Sequence, residues 1–108
     1  MQVYKLKNFK LGWICGSFFP SLIKTENFEL AIKYYKKNDY DKKHHHKKSI
    51  EYTIIAQGKV QMNDNIYTKG DIIIIGRNEA TNFKALSNNV ITVVLKIPSC
   101  INDKYIEE

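Results

Sequence analysis

Apolar and polar residues alternate in short runs along most of this chain, and turn residues interrupt the runs at near-regular intervals. Extended backbone sends successive side chains to opposite faces, so such runs read as β-strands. Residues 28–36 place Phe28, Leu30, Ile32 and Tyr34 on one face, with Glu29, Lys33 and Tyr35 among the other. The polar stretch Lys37-Asn38-Asp39-Tyr40-Asp41 predicts a turn. Residues 50–57 predict a strand, and 59–62 with 65–68 a hairpin around Asn63-Asp64-Asn65, whose side chains favour turn backbone. Lys69-Gly70-Asp71 turns the chain before the β-branched run Ile72 to Ile75, and Gly76-Arg77-Asn78 turns it again. Residues 81–86 and 90–97 complete the pattern, which Pro98 ends because proline has no N–H for a ladder. No stretch carries the 3.6-residue period of an amphipathic helix. The predicted class is all-β, a barrel or sandwich of many short strands.

The two ends read differently. Residues 1–25 hold the apolar, aromatic and Gly-containing stretch Leu11 to Pro20, which predicts an edge strand or an arm crossing the barrel. Trp13 is expected there as a packing residue. Residues 98–108 are polar and predict a tail, or an arm reaching a partner subunit. At 108 residues the chain is long enough for one core and one domain, with the barrel over 28–97.

The run His44-His45-His46 adds chemistry to this pattern. Glu51 follows His46 by five residues and Gly58 follows Glu51 by seven, giving His-x-His-x4-Glu-x6-Gly. On a strand, His44 and His46 project to one side and His45 to the other. The four residues between His46 and Glu51 allow a tight turn, so Glu51 opens the next antiparallel strand beside them. Two imidazoles and a carboxylate around one point are the ligand set of two-histidine, one-carboxylate metal sites.

This spacing resembles the first sequence motif of the cupin superfamily, Gly-x5-His-x-His-x(3,4)-Glu-x6-Gly. Asn38 stands at the leading glycine, and Asn is the residue other than Gly that best tolerates left-handed backbone. The second cupin motif, Gly-x5-Pro-x-Gly-x2-His-x3-Asn, is matched only at Gly70. Gly76 stands at its Pro, Asn78 at its Gly, Thr81 at its metal-binding His and Ala85 at its Asn. The resemblance spans about residues 28–97. It implies a small antiparallel jelly-roll barrel with a cavity at one mouth. It also implies a divalent metal ion (Fe, Zn, Ni or Mn) held by His44, His46 and Glu51, with Thr81, Tyr34 and Tyr52 as further pocket residues. A neutral threonine hydroxyl is a poor metal ligand, so the site would keep open positions, as catalytic centres do. Isomerase, lyase or dioxygenase chemistry on a small molecule fits such a centre. So does a barrel that binds or senses a small molecule without turnover. A third reading is a metal-free carbohydrate epimerase or isomerase using a His base and a Tyr acid, as some relatives of the superfamily do.

Charge and composition narrow the partners. The net charge is +6 and the pI about 9.3, yet all but one of the 17 cationic residues are Lys, Arg77 being the exception. Phosphate-reading surfaces favour the bidentate fork of Arg, so the charge is read as a solvated surface and not as a nucleic-acid site. The pairs Lys42-Lys43 and Lys47-Lys48 flank the histidines and would favour an anionic ligand at the cavity rim. The longest apolar run is too short to cross a membrane as a helix, and the basic N-terminus lacks the apolar core of a signal peptide. Cys15 and Cys100 are expected as free thiols of a cytoplasmic protein. The apolar stretch Trp13 to Phe19 exceeds what a barrel of this size needs for its own core, and predicts a homodimer.

Overall fold

A computed structural model of the chain, describing residues 1–107, contains eleven strands: β1 (Trp13–Gly16), β2 (Ile23–Lys24), β3 (Glu29–Tyr35), β4 (Tyr40–His45), β5 (Ile50–Gln57), β6 (Lys59–Met62), β7 (Asn65–Thr68), β8 (Ile72–Ile75), β9 (Thr81–Ala85), β10 (Val90–Ile97) and β11 (Tyr105–Ile106). They form a six-stranded sheet, β2-β1-β3-β10-β5-β8, and a five-stranded sheet, β11-β4-β9-β6-β7. All pairings are antiparallel except β1 with β2. The two sheets face each other as a double-stranded β-helix, the cupin fold. Among the described residues helical backbone is limited to two 3-10 turns, Leu6–Asn8 and Lys10–Gly12. No helix among the described residues is long and apolar enough to cross a membrane.

The strands from β5 to β10 fall where the alternation predicts them, and left-handed residues make the corners. Asn38 has φ 75°, and Asn63 and Asn78 are left-handed too. Gly58 has φ 92°, and a Cβ there would stand 2.7 Å from Val90 Cγ2, so the turn into β6 excludes a side chain on two counts. The apolar core sits at one end of the barrel, built from Ile55, Val60, Met62, Ile75, Phe83, Ala85 and Val90, with Tyr35 stacked obliquely on Phe83.

The six-stranded sheet has an unexpected sidedness. The inner face of β3 is Glu29, Ala31, Lys33 and Tyr35, paired across β10 with Lys96, Val94, Thr92 and Val90. The more apolar set, Leu30, Ile32 and Tyr34, faces outward. Registers extend it into cross-strand rows: Ile32–Val93–Ile54–Ile72, and Leu30–Leu95–Tyr52–Ile74. The outer face is therefore apolar, while one end of the interior is polar.

The chain ends are tied into the two sheets. Residues 13–16 form β1, which with the two-residue β2 makes one edge of the six-stranded sheet, with Cys15 buried. Residues 99–107 are not a free tail. β11 pairs with β4 in the register Tyr105↔His45, and Asp103 is buried. Its carboxylate accepts hydrogen bonds from the backbone N–H of Lys47 (3.1 Å), Lys48 (3.0 Å) and Ser49 (3.0 Å), three donors of the β4–β5 turn. The sequence concealed this contact because Asp103 is more than fifty residues from the turn that it caps.

Burial opposes ionisation of Asp103, but the N–H bonds from Lys48, Lys47 and Ser49 outweigh it and hold the carboxyl below its usual range. A folded pKa below the unfolded one stabilises the protein above the unfolded value and loses that stabilisation as pH falls through the folded one. Asp103→Asn should cost about 2 kcal/mol at neutral pH, seen as a drop in Tm of roughly 10 °C. The gap between variant and parent should close as pH is lowered past 3.8. Thermal melts across that range check both; a pH-independent gap would show that the charge of Asp103 is not what holds the turn.

Candidate functional site

The β4–β5 connection delivers the site. β4 ends at His45, and His46 is the first residue beyond it, buried at 6% exposure. Glu51 is the second residue of β5 and faces the interior with Thr53. The His46 Nδ1–H donates to the backbone oxygen of Asp103 at 2.8 Å, and its Nε2 lies 3.6 Å from Glu51 Oε1. Thr53 donates its hydroxyl to Glu51 Oε2 at 2.8 Å. The His44 Nδ1–H donates to the backbone oxygen of Lys42 at 2.7 Å, and the two rings meet edge to face with centroids 5.2 Å apart. His45 turns away, stacked on Tyr105 with its Nδ1 3.0 Å from Glu107.

These hydrogen bonds set the tautomers. A main-chain carbonyl can only accept, so both Nδ1 atoms carry protons; Nε2 presents a lone pair when its ring is neutral, and on His46 it faces Glu51, to which it donates when protonated. Burial also pushes the His44 pKa down, outweighing the Lys42 carbonyl and Asp41, which favours the neutral ring. Burial pushes Glu51 the other way, but the His46 ring and the Thr53 hydroxyl overcome it and hold the carboxyl below its usual range; the pull of His46 needs a proton on the Nε2 that faces Glu51. The site is thus an ionised carboxylate beside two rings whose Nε2 atoms are the positions left for a ligand.

A cavity of about 50 Å³ adjoins it, lined by His44, Glu51, Asp41, Tyr35, Thr81 and Thr92 among others. That volume suits an ion or a few waters, whereas small-molecule pockets run to roughly 300 Å³ or more. The Thr92 hydroxyl is buried there without a protein partner. Thr81 pairs with His44 across β4 and β9, so it stands where the sequence motif predicts, but its hydroxyl donates to the backbone oxygen of Asn82. Tyr34 and Tyr52 lie on the outer face of the sheet, away from this cavity. The tyrosine inside is Tyr35, whose hydroxyl is held protonated by burial and then by the charge of Asp41.

Sequence reasoning missed the interior cations. Lys33 and Lys96 both point inward, and their Nζ atoms sit over the Trp13 ring at 5.0 and 5.6 Å. Lys96 also pairs with Glu29 at 3.3 Å, both side chains about 10% exposed. Burial lowers the pKa of Lys33 despite the charges of Asp41 and Glu51. The signal was present in the alternation of β3, where Glu29 and Lys33 share a face with Tyr35. The lysines expected at the rim, Lys42, Lys43, Lys47 and Lys48, are all exposed to solvent. A larger, open groove of about 570 Å³ runs between residues 6–12 and β3; it has Lys7 and Lys33 but no His or carboxylate on its walls.

The donors fit a divalent ion in kind: two Nε2 lone pairs and a carboxylate beside a small polar cavity. They are not drawn together as a formed cluster. Among the described residues no three His, Cys, Asp or Glu side chains are grouped to hold a metal ion.

Solved structures share this architecture at low sequence identity. An uncharacterised double-stranded β-helix protein from Klebsiella pneumoniae superposes with a TM-score of 0.70 at 14% identity, over 78% of this chain and 73% of that one. KdgF from Halomonas sp. gives 0.64 at 15% identity, over 70% and 74%. Oxalate decarboxylase from Bacillus subtilis gives 0.67 at 14% identity, over 76% of this chain but only 24% of its own. No protein-family profile and no curated protein sequence matches the chain. The class these likenesses define is the cupin fold, one shared by metal-dependent enzymes and by proteins without assigned activity.

Long-range 1H–15N spectra of the histidine rings test the donor set. Nδ1 of both His44 and His46 should carry a proton at neutral pH, and His44 should titrate below 6.5. An Nε2–H tautomer at either ring would remove that nitrogen as a donor.

Proposed function

We propose that this protein is a small-molecule cupin whose working centre is His44, His46 and Glu51, closing on a divalent metal ion and acting on or binding a small anionic compound. The observation that carries the proposal is the commitment of both Nδ1–H groups to main-chain carbonyls, Lys42 O and Asp103 O. Such outer partners fix ring orientation and leave Nε2 free, as metal-ligating histidines require. Among the structural neighbours are oxalate decarboxylase, whose centres hold Mn(II), and the DMSP lyase DddQ from Ruegeria pomeroyi. An ion bound here would act as a Lewis acid on a substrate oxygen.

The protein's own groups would do the rest. Glu51 stays ionised against Thr53 and His46. Tyr35 keeps a proton to donate, and Lys33 and Lys96 place positive charge inside the barrel, where it attracts a carboxylate or phosphate far better than the exposed lysine pairs do. The small cavity requires side chains at the mouth to move as substrate enters. Reaction class stays at isomerase, lyase or dioxygenase. Two free thiols suit a cytoplasmic setting.

A metal-free reading has its own support: no three-donor cluster is formed, and neutral His44 and protonated Tyr35 line one cavity, a base and an acid for epimerase-type proton transfer. A barrel that binds without turnover uses the same groups.

Metal analysis of protein purified without a His tag, followed by titration with Mn(II), Fe(II), Ni(II) and Zn(II), separates these readings. One ion per chain is expected. His46→Ala and Glu51→Gln should abolish uptake, and His45→Ala should leave it nearly intact. No uptake in the parent protein transfers the proposal to the acid–base reading. For an anionic ligand found by thermal-shift screening, Lys33→Gln should weaken binding by about tenfold, the loss of roughly 1.4 kcal/mol. The Gln substitutions at Lys42, Lys43, Lys47 and Lys48 should matter less; the reverse order would place the ligand at the rim.

A further inference from the structure

We infer that the groove between residues 6–12 and β3 is a binding site for a small carboxylic acid with an apolar tail, separate from the His44 centre. At about 570 Å³ it falls within the range of small-molecule pockets, roughly 300–1,000 Å³, whereas the cavity beside Glu51 does not. Leu6, Phe9, Leu11 and Ile32 give its walls apolar surface, and the charged residues among them, Lys7 and Lys33, are both cations. Walls of hydrocarbon carrying charge of one sign disfavour cations and neutral polar compounds. They match an anion that brings a tail.

Local backbone builds the groove and adds a donor to it. Leu11 and Gly12 are left-handed, with φ 51° and 81°, and a side chain on Gly12 would collide with the backbone oxygen of Ile32. The chain thus meets β3 at Gly12, and the groove opens along the residues before it. β1 stops pairing with β3 at Ala31. The Ile32 carbonyl points to this edge, and strand alternation turns the Tyr34 N–H the same way. Among the described residues no strand pairs with the edge there. The groove therefore offers two ammonium groups and a main-chain N–H, a set that one carboxylate can accept from. A phosphate dianion favours the fork of Arg, and the walls carry only Lys. Residues 6–12 stand where an added strand would run, so the occupant is a compact molecule and not a peptide strand.

The two lysines differ in use. Lys33 is common to the groove and the barrel interior, where it feels Asp41 and Glu51. Lys7 is exposed and belongs to the groove alone, so it is the residue that separates the two sites. The Lys33 ammonium lies 5.0 Å from the ring of Trp13, the single tryptophan of the chain. An anion that draws Lys33 into the groove changes the surroundings of that ring.

Isothermal titration calorimetry of the full chain with decanoate below its micellar concentration tests the inference. The buffer contains EDTA, so the outcome is independent of metal at the His44 centre. One decanoate per chain should bind, and Trp13 emission should change in step. Shortening the acid to octanoate and hexanoate should weaken binding by about threefold per CH₂ removed. Decan-1-ol, which lacks the charge, should bind about tenfold more weakly or worse. Lys7→Glu, at an exposed site that folding does not need, should weaken decanoate by about tenfold, and Phe9→Asp should do the same. Amide shifts in 1H–15N spectra should centre on residues 6–12 and 32–34. No binding of decanoate, equal affinity for decan-1-ol, or an affinity untouched by Lys7→Glu overturns the inference. So do amide shifts centred on residues 44–53, which place the anion in the barrel. Attachment to phosphatidylglycerol vesicles without binding of free decanoate also overturns it, and makes the N-terminal apolar residues a membrane contact.

Discussion

The carboxylate of Asp103 holds the candidate site in place. It collects three backbone N–H groups of the β4–β5 turn, and the carbonyl of the same residue orients His46. A turn between two strands leaves donors that no ladder partner reaches, and a buried donor without an acceptor costs about 1–3 kcal/mol. Bringing one anion to three of them fixes the geometry of residues 46–49. That in turn sets Nε2 of His46 beside Glu51 at the start of β5. The closing segment that carries Asp103 is pinned by the β11–β4 pairing, by the Ser99 N–H on the Glu26 carbonyl, and by Lys104 on Asp41 at 3.0 Å. The histidine turn and the end of the chain thus form one unit.

The polar end of the barrel and the apolar outside of its larger sheet are two results of one alternation. Glu29, Lys33 and Lys96 enter the interior because Leu30, Ile32 and Leu95 leave it. Burying ions is expensive, and a buried pair such as Lys96–Glu29 is weak evidence of stabilisation, since desolvation can exceed its Coulombic gain. The protein keeps these ions within reach of Trp13, Glu51 and Asp41, around a cavity with an unpartnered hydroxyl.

Much of the fold was legible because short-range rules governed it. β5 to β8 and β10 fall on the runs read from alternation, and Asn38, with φ 75°, takes the backbone that a glycine takes in the cupin motif. Motif spacing gave Thr81 as a pocket residue; its place opposite His44 comes from the β4–β9 register. Tyr34 could not be told from Tyr35, because adjacent residues on a strand differ only in which face is inside. Both faces of β3 hold apolar residues, so hydrophobicity did not choose between them.

The sequence by itself determined what depends on neighbours along the chain: strands from alternation, corners from Asn and Gly, and two imidazoles and a carboxylate at a spacing that two antiparallel strands bring together. Only the tertiary structure decided which face of the six-stranded sheet is interior. It alone decided that Lys33 and Lys96 flank Trp13, and that Asp103 caps a turn more than fifty residues away. The physical reason is the range of the interactions. Backbone preference and period-two patterning act within a few residues. The pairing of buried charges and orphan N–H groups is set by what the closed barrel brings near, and no local pattern records that.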